Sequence, residues 1–209
     1  MQRSQRISDF RKAIPALQVL DLDDSQWAER RMTRSDAERE CTPLAIAIPK
    51  NAEQVSDVVR WAVKNDIDFT VRSGGNDFYG RCVVDGGLMI DMRDINFIDV
   101  AADKKTATIG GGVITKDLIL ALEAEGLMAP VANTWIVGYV GWATLGGYGP
   151  LMNFLGMGCD GITGAQVVDA TGQIAEASEE MLEGIRGMGG NLGIVTSLTI
   201  KLYQSNTVS

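Results

Sequence analysis

Hydrophobic positions along this chain switch between two periods, and each switch marks an element. Leu44, Ala45, Ile46, Ala47 and Ile48 form a short apolar run ended by Pro49, the pattern of a strand buried on both faces. Asn51 and Gln54 follow as an N-cap and its N3 partner, and Val55, Val58, Val59, Ala62 and Val63 then recur at helical spacing. That spacing predicts an amphipathic helix over 52–65 with one buried stripe. Ile67 to Val71 reads as the next strand and completes a β-α-β unit. Strands are also predicted at Leu88 to Met92 and Thr106 to Ile109, while Leu118, Ile119 and Leu122 mark a helix stopped by Gly126. Ala165 to Ala170 and Gln173 to Ala177 flank Thr171-Gly172 as a hairpin, and a last strand runs from Ile194 to Leu202. Helices and strands in this mixed order predict an α+β fold.

Length and charge bound what such a fold can do. The 209 residues, 45% hydrophobic, suffice for one domain or for two small lobes sharing a core. Against 27 Asp and Glu stand 19 Lys and Arg, a net charge of -8, which opposes binding to nucleic acid or an anionic membrane through a basic face. Any phosphate is then expected to be held by backbone amides. The chain contains no histidine, so zinc-finger and Ser-His or Cys-His chemistry is excluded within it and no metal site is expected. Cys41, Cys82 and Cys159 are odd in number and far apart, which fits reduced, buried thiols better than a disulfide framework. The N-terminal stretch carries charges throughout, and no run of about 18 apolar residues occurs, so a soluble, cytoplasmic protein is expected.

Glycine is unevenly placed. None of the 24 precedes Gly74, five fall between Gly74 and Gly87, and nineteen between Gly110 and Gly193. Residues 1–40 hold eight basic and eight acidic residues, a composition suited to solvated helices or an arm packed on the body. The expected organisation is an N-terminal helical arm over 1–39 and a main domain over 40–204, with lobes at about 40–109 and 110–204.

Chemistry concentrates in three glycine-rich segments. In the first, Val71-Arg72-Ser73-Gly74-Gly75-Asn76-Asp77-Phe78-Tyr79-Gly80, paired glycines after a strand can turn successive N–H groups toward a diphosphate, although a plain tight turn answers the same pattern. The second, Asn133 to Gly149, sets glycines among apolar residues, suiting either a large flat ligand or a buried turn. The third, Gly187 to Thr196, runs into a strand. No dinucleotide-fold fingerprint or P-loop is present.

In this order the segments resemble the PCMH-type FAD-binding domain of the berberine-bridge-enzyme and vanillyl-alcohol-oxidase type of FAD-linked oxidases. The resemblance extends from about Trp27 to Tyr203 and includes Pro49 to Val55, Val71 to Gly75, Leu88 to Met92, Gly110 to Gly112, Leu145 to Gly149 and Gly189 to Thr196. It implies two α+β lobes with FAD in the cleft between them. Arg72, Ser73, Gly74, Gly75, Asn76 and Gly80 are then expected at the diphosphate. Val137, Gly138, Gly141, Thr144, Leu145, Gly146 and Gly149 are expected along the flavin, and Ile194 and Val195 near the adenine.

Three departures qualify what the resemblance implies. Where many members carry a flavin-linked histidine, this chain has Asn76, and the second attachment cysteine is missing from Ala132 to Gly138, so FAD is expected to bind noncovalently. The chain stops at Ser209, so the usual substrate domain is expected to be absent and the flavin face to be covered by a second copy or a partner chain. Tyr79, Tyr139 and Tyr148, with Asp77, lie near the expected flavin as acid or base candidates, and Asp160 is expected to serve in structural hydrogen bonding. An FAD-dependent oxidoreductase of small-molecule, secondary metabolism is the favoured function. The alternatives are a non-redox isomerase or cyclase and a non-catalytic binding protein on the same scaffold.

Overall fold

The computed structural model describes residues 3–34 and 41–205. Two sheets organise them. The first contains β1 (Gln18–Leu20), β2 (Ala45–Ile48), β3 (Phe69–Arg72) and β4 (Leu88–Asp91) in the order β1-β2-β4-β3. β4 runs parallel to both β2 and β3, and β1 joins antiparallel at the β2 edge. The β-α-β unit expected from β2 and β3 therefore opens to admit β4 between them. All residues of β2 and β4 are buried, and alternate residues enter separate clusters. Ala45, Ala47, Leu88 and Ile90 meet helices α1 (Arg3–Ala13) and α3 (Ala52–Lys64), whereas Ile46, Ile48 and Met89 meet Leu20, Val83 and Trp27 of α2 (Trp27–Arg31). Two covered faces explain why these strands read as continuous apolar runs.

Helix α3 begins where Asn51 accepts the Gln54 N–H at 2.9 Å, and the Gln54 side chain in turn accepts the Lys50 N–H at 2.8 Å. Val55, Val58, Val59 and Ala62 form its buried stripe, as the spacing predicts, while Val63 is exposed. Ahead of residue 40, where the arm is expected, Ile7 and Phe10 of α1 and Val19 and Leu20 of β1 are buried in the first lobe. Residues 35–39 of that arm lie outside the described residues.

The second sheet is wholly antiparallel, with β5 (Ile98–Val100), β6 (Thr106–Gly110), β10 (Ile194–Lys201), β8 (Ile162–Val168) and β9 (Ile174–Glu176) as neighbours in that order. The hairpin around Thr171-Gly172 is β8–β9. Helices α4 (Thr115–Glu123), α5 (Tyr139–Ala143) and α7 (Glu179–Met188) bring Leu118, Leu122, Tyr139, Leu182 and Ile185 onto Ile109, Val167, Leu198 and Ile200 of the sheet. A short pair, β7 (Leu127–Met128) and β11 (Tyr203–Gln204), and the one-turn helix α6 (Met152–Leu155) complete the lobe.

The lobes share a seam. Val168 and Ile194 of the second sheet belong to the core of the first, and the buried Ser56 hydroxyl of α3 donates to the Gly172 carbonyl at 2.5 Å. Of the cysteines expected to be buried, only Cys82 is; Cys41 and Cys159 are half-exposed, and none of the three forms a disulfide within the described residues.

Candidate functional site

The first glycine segment begins where β3 ends and lies directly on the second. A side chain at Gly74 would strike the backbone of Gly138 and Ile136, and one at Gly138 would strike Gly74 and, at 2.5 Å, the Ser73 hydroxyl. The Ser73 hydroxyl donates to the Gly111 carbonyl at 2.8 Å, tying the turn to the Gly110-Gly111-Gly112 run as well. Gly111 in turn packs against the Val195 carbonyl. The second segment meets the third where the Gly189 N–H donates to the Thr144 carbonyl at 3.0 Å, with Leu145 against Gly189. Thus Ser73, Gly74, Gly138 and Val195 meet at one seam between the lobes, while Thr144 and Leu145 tie the second segment to the third within the second lobe. Bare Cα positions there permit backbone-to-backbone contact that no side chain would allow.

Other predicted site residues occupy distinct positions. Gly75 and Gly80 adopt left-handed backbone, with φ of 69° and 68°. Gly141 lies exposed in α5 with nothing near its bare face, whereas Gly146 faces Met157 and Gly149 the Val131 carbonyl. Val137 accepts from the Thr115 N–H and hydroxyl, and Ile194 is buried. Asp160 accepts the Met157 N–H at 2.9 Å and the Cys159 thiol, in line with a structural role. The three tyrosines separate: Tyr79 and Tyr148 are exposed, but Tyr139 is a fully buried core residue whose hydroxyl has no partner, and burial drives its pKa well above the ordinary tyrosine value. Its position is that of a packing residue rather than a solvent-facing acid or base.

Arg72 turns away from that face. It is 4% exposed, and its guanidinium donates to the Met32 carbonyl at 2.7 Å, lies 3.5 Å from Asp91, and packs beneath Gly75. Burial lowers its pKa despite the neighbouring carboxylate. Asp91, wholly buried, is a hub. Arg93 grips both its oxygens, with Nη2 at 2.7 Å, and Arg30 reaches it at 3.4 Å while pairing with Asp94 at 2.8 Å. Burial opposes the Arg30 charge, but Asp94 and Asp91 outweigh it and raise its pKa. The signal was available in the sequence, since one aspartate inside the apolar run Leu88 to Met92 demands a buried cationic partner.

The turn itself is richer in donors than in acceptors. Among the described residues, the N–H groups of Gly74, Gly75 and Asn76 find no protein acceptor, and the buried Asn76 Oδ1 has no donor. Asp77 is spoken for: it accepts from the Tyr79 and Arg81 N–H groups and pairs with the Arg81 guanidinium at 3.0 Å. Partial burial alone would raise its pKa, but these donors hold it below the ordinary carboxylate range. Around the seam Phe78, Tyr79, Trp135, Ile136, Leu145 and Tyr148 expose apolar surface. No group of three or more acidic or cysteine side chains among the described residues is placed to hold a metal ion, and no described helix is long and apolar enough to cross a membrane.

A model of the FAD binding domain family matches residues 43–178. The chain belongs to that family. It is 37% identical over 166 residues to (R)-6-hydroxynicotine oxidase of Paenarthrobacter nicotinovorans, covering 78% of this chain and 36% of that protein. It is 36% identical over 168 residues to the FAD-linked oxidoreductase aurO of Gibberella zeae, covering 79% of this chain and 33% of that one. The crystal structure of 6-hydroxy-D-nicotine oxidase from Arthrobacter nicotinovorans superposes with a TM-score of 0.85 at 34% identity, over 90% of this chain and 42% of the other. A berberine-bridge-like protein of Physcomitrella patens gives a TM-score of 0.87 at 26% identity, over 98% and 45%. The chain thus spans a third to just under half of the length of these relatives, and the α+β two-lobed fold is the one they carry. For the FAD that the family implies, the residues present fit: unpaired N–H groups at an acidic protein's glycine turn suit a diphosphate, and the orphaned Asn76 oxygen beside them would accept from a hydroxyl or N–H of the cofactor.

Proposed function

We propose that this domain binds FAD noncovalently along the seam between its lobes and serves as the flavin-bearing part of an oxidoreductase acting on small molecules of secondary metabolism. The observation that carries this reading is the convergence of three glycine segments on one seam whose first turn presents N–H groups without protein acceptors. Ser73, Gly74, Gly75, Asn76 and Gly80 would hold the diphosphate. Gly138, Gly141, Thr144, Leu145, Gly146 and Gly149, with Val137, would lie along the ring system, and Ile194 and Val195 near the adenine. Arg72 acts from below, fixing Gly75 and the turn through Asp91 and the Met32 carbonyl. FAD, when bound, supplies a two-electron acceptor for hydride.

Composition supports noncovalent attachment, because the chain has no histidine to bond the flavin and no cysteine between Ala132 and Gly138. Exposed Trp135, Ile136, Leu145 and Tyr148 on the second segment offer an apolar face for a covering second copy or partner chain. The test is optical. Protein purified with added FAD should carry the visible flavin absorption, and acid precipitation should release all of it to the supernatant. Protein that stays colourless at saturating FAD refutes the cofactor assignment, and flavin that remains with the precipitate refutes noncovalent attachment.

A further inference from the structure

The first glycine turn contains three arginines within reach of its backbone, and two of them are already neutralised. Arg72 lies beneath Gly75 with its charge committed to the buried Asp91. Arg81 is paired with Asp77 at 3.0 Å. Arg34 is different. Its backbone N–H donates to the Gly75 carbonyl at 2.9 Å, and its guanidinium lies over the Phe78 ring, 5.1 Å from the centroid, so the residue brackets the turn from Gly75 to Phe78. The side chain is exposed, and it forms no ion pair with any described acidic group. The carboxylate at the turn, Asp77, is satisfied by Arg81 and two backbone N–H groups, so among the described residues no carboxylate competes for Arg34.

Resting on the FAD reading above, we infer that Arg34, and not Arg72, is the cation that neutralises the cofactor's diphosphate. A chain of net charge -8 repels a diphosphate at long range, and neutral N–H groups offset that only partly. A guanidinium held over an aromatic ring keeps its fork of donors free at the edge, suited to phosphate oxygens. The N-terminal segment then has a binding role besides its packing role: it carries the diphosphate's counter-charge across to the glycine turn.

The test compares FAD and riboflavin, which lacks phosphate, on wild-type protein, Arg34→Gln and Arg34→Lys, by calorimetry and by quenching of flavin fluorescence. Losing one charge-assisted contact should weaken FAD about ten- to a hundredfold in Arg34→Gln. Riboflavin affinity and the unfolding temperature of the ligand-free protein should not change, and Arg34→Lys should recover most of the loss. The FAD-to-riboflavin preference of the wild type should also shrink as salt rises. FAD affinity unchanged in Arg34→Gln overturns the inference while leaving the cofactor reading intact, as does an equal loss for both flavins. Wild-type protein that binds neither flavin overturns the cofactor reading itself, and this inference with it.

Discussion

Replacing Asp91 with asparagine isolates the buried charge hub beneath the glycine turn. The change keeps shape and removes one negative charge from a site shared by Arg30, Arg72 and Arg93. The three cations do not suffer equally. Arg30 retains Asp94 at 2.8 Å, and Arg93, at 23% side-chain exposure, can turn to water. Arg72, at 5%, keeps only the Met32 carbonyl, and its Nε already lacks a partner. The cost therefore falls mainly on Arg72, a buried cation stripped of its anion, and should reach about 3–5 kcal/mol. For a chain of this size each kcal/mol lowers Tm by about 2–4 °C, so a fall of about 6–20 °C is expected in thermal unfolding. The double variant Asp91→Asn with Arg72→Met should be less destabilised than Asp91→Asn alone, because it removes the stranded charge. A loss below about 1 kcal/mol in the single variant, or simple additivity in the double, would refute the reading of Asp91 as a buried hub on which Arg72 depends.

The remaining predictions concern glycines and the buried phenol. Gly74→Ala and Gly138→Ala each drive a Cβ into opposing backbone that cannot rotate aside, so each should cost about 1–3 kcal/mol or more in urea unfolding. Gly141→Ala meets nothing within the protein and sits in a helix, so it should stabilise by about 0.5–1 kcal/mol while crowding the ring side and weakening FAD; stabilisation with unchanged FAD affinity would place the flavin elsewhere. Tyr139→Phe removes an unpaired buried hydroxyl and should leave stability at neutral pH unchanged or raised by up to about 1 kcal/mol. Because burial raises the folded pKa of Tyr139 above the unfolded value, its contribution is complete below about pH 10 and is lost as pH rises beyond it. The wild type should therefore lose stability faster than Tyr139→Phe on alkaline titration, and parallel curves would contradict the burial argument.

Local periodicity carried much of the fold, and its failures are non-local. β2, α3 and the β8–β9 hairpin announce themselves because burial on both faces, on one stripe, or across a short turn leaves a pattern within a few neighbouring residues, although the hairpin turn spans 169–173 and is not the two-residue turn expected at Thr171-Gly172. β1, β7 and β11 are two or three residues long and exist because a neighbour offers ladder bonds, which no window of sequence records. The insertion of β4 between β2 and β3 is likewise a choice of partner, invisible to periodicity. At the site, the glycine segments were legible as chemistry, but their mutual contact was not. Gly74 is bare because Gly138 lies against it, whereas composition alone points to an incoming diphosphate.

The same distinction separates the arginines. Arg72 stands next to the paired glycines in sequence, which invites a role at the phosphate, yet its side chain lies opposite Asp91 across β3 and β4 and is engaged there. A buried carboxylate in a central strand requires a cation, and the end of the adjacent strand is the place from which one can reach it without crossing the core. Once Arg72 is committed there, it stiffens the turn from below and leaves the turn's upper side to backbone donors. A donor-rich turn in an acidic chain still needs a counter-charge that arrives from elsewhere. The segment that supplies Arg34 is the one whose Met32 carbonyl also accepts from Arg72, so one stretch of backbone couples the buried hub to the open face of the turn. Damage to the hub should therefore be felt in the placement of Arg34 as well as in stability, through a backbone only two residues long.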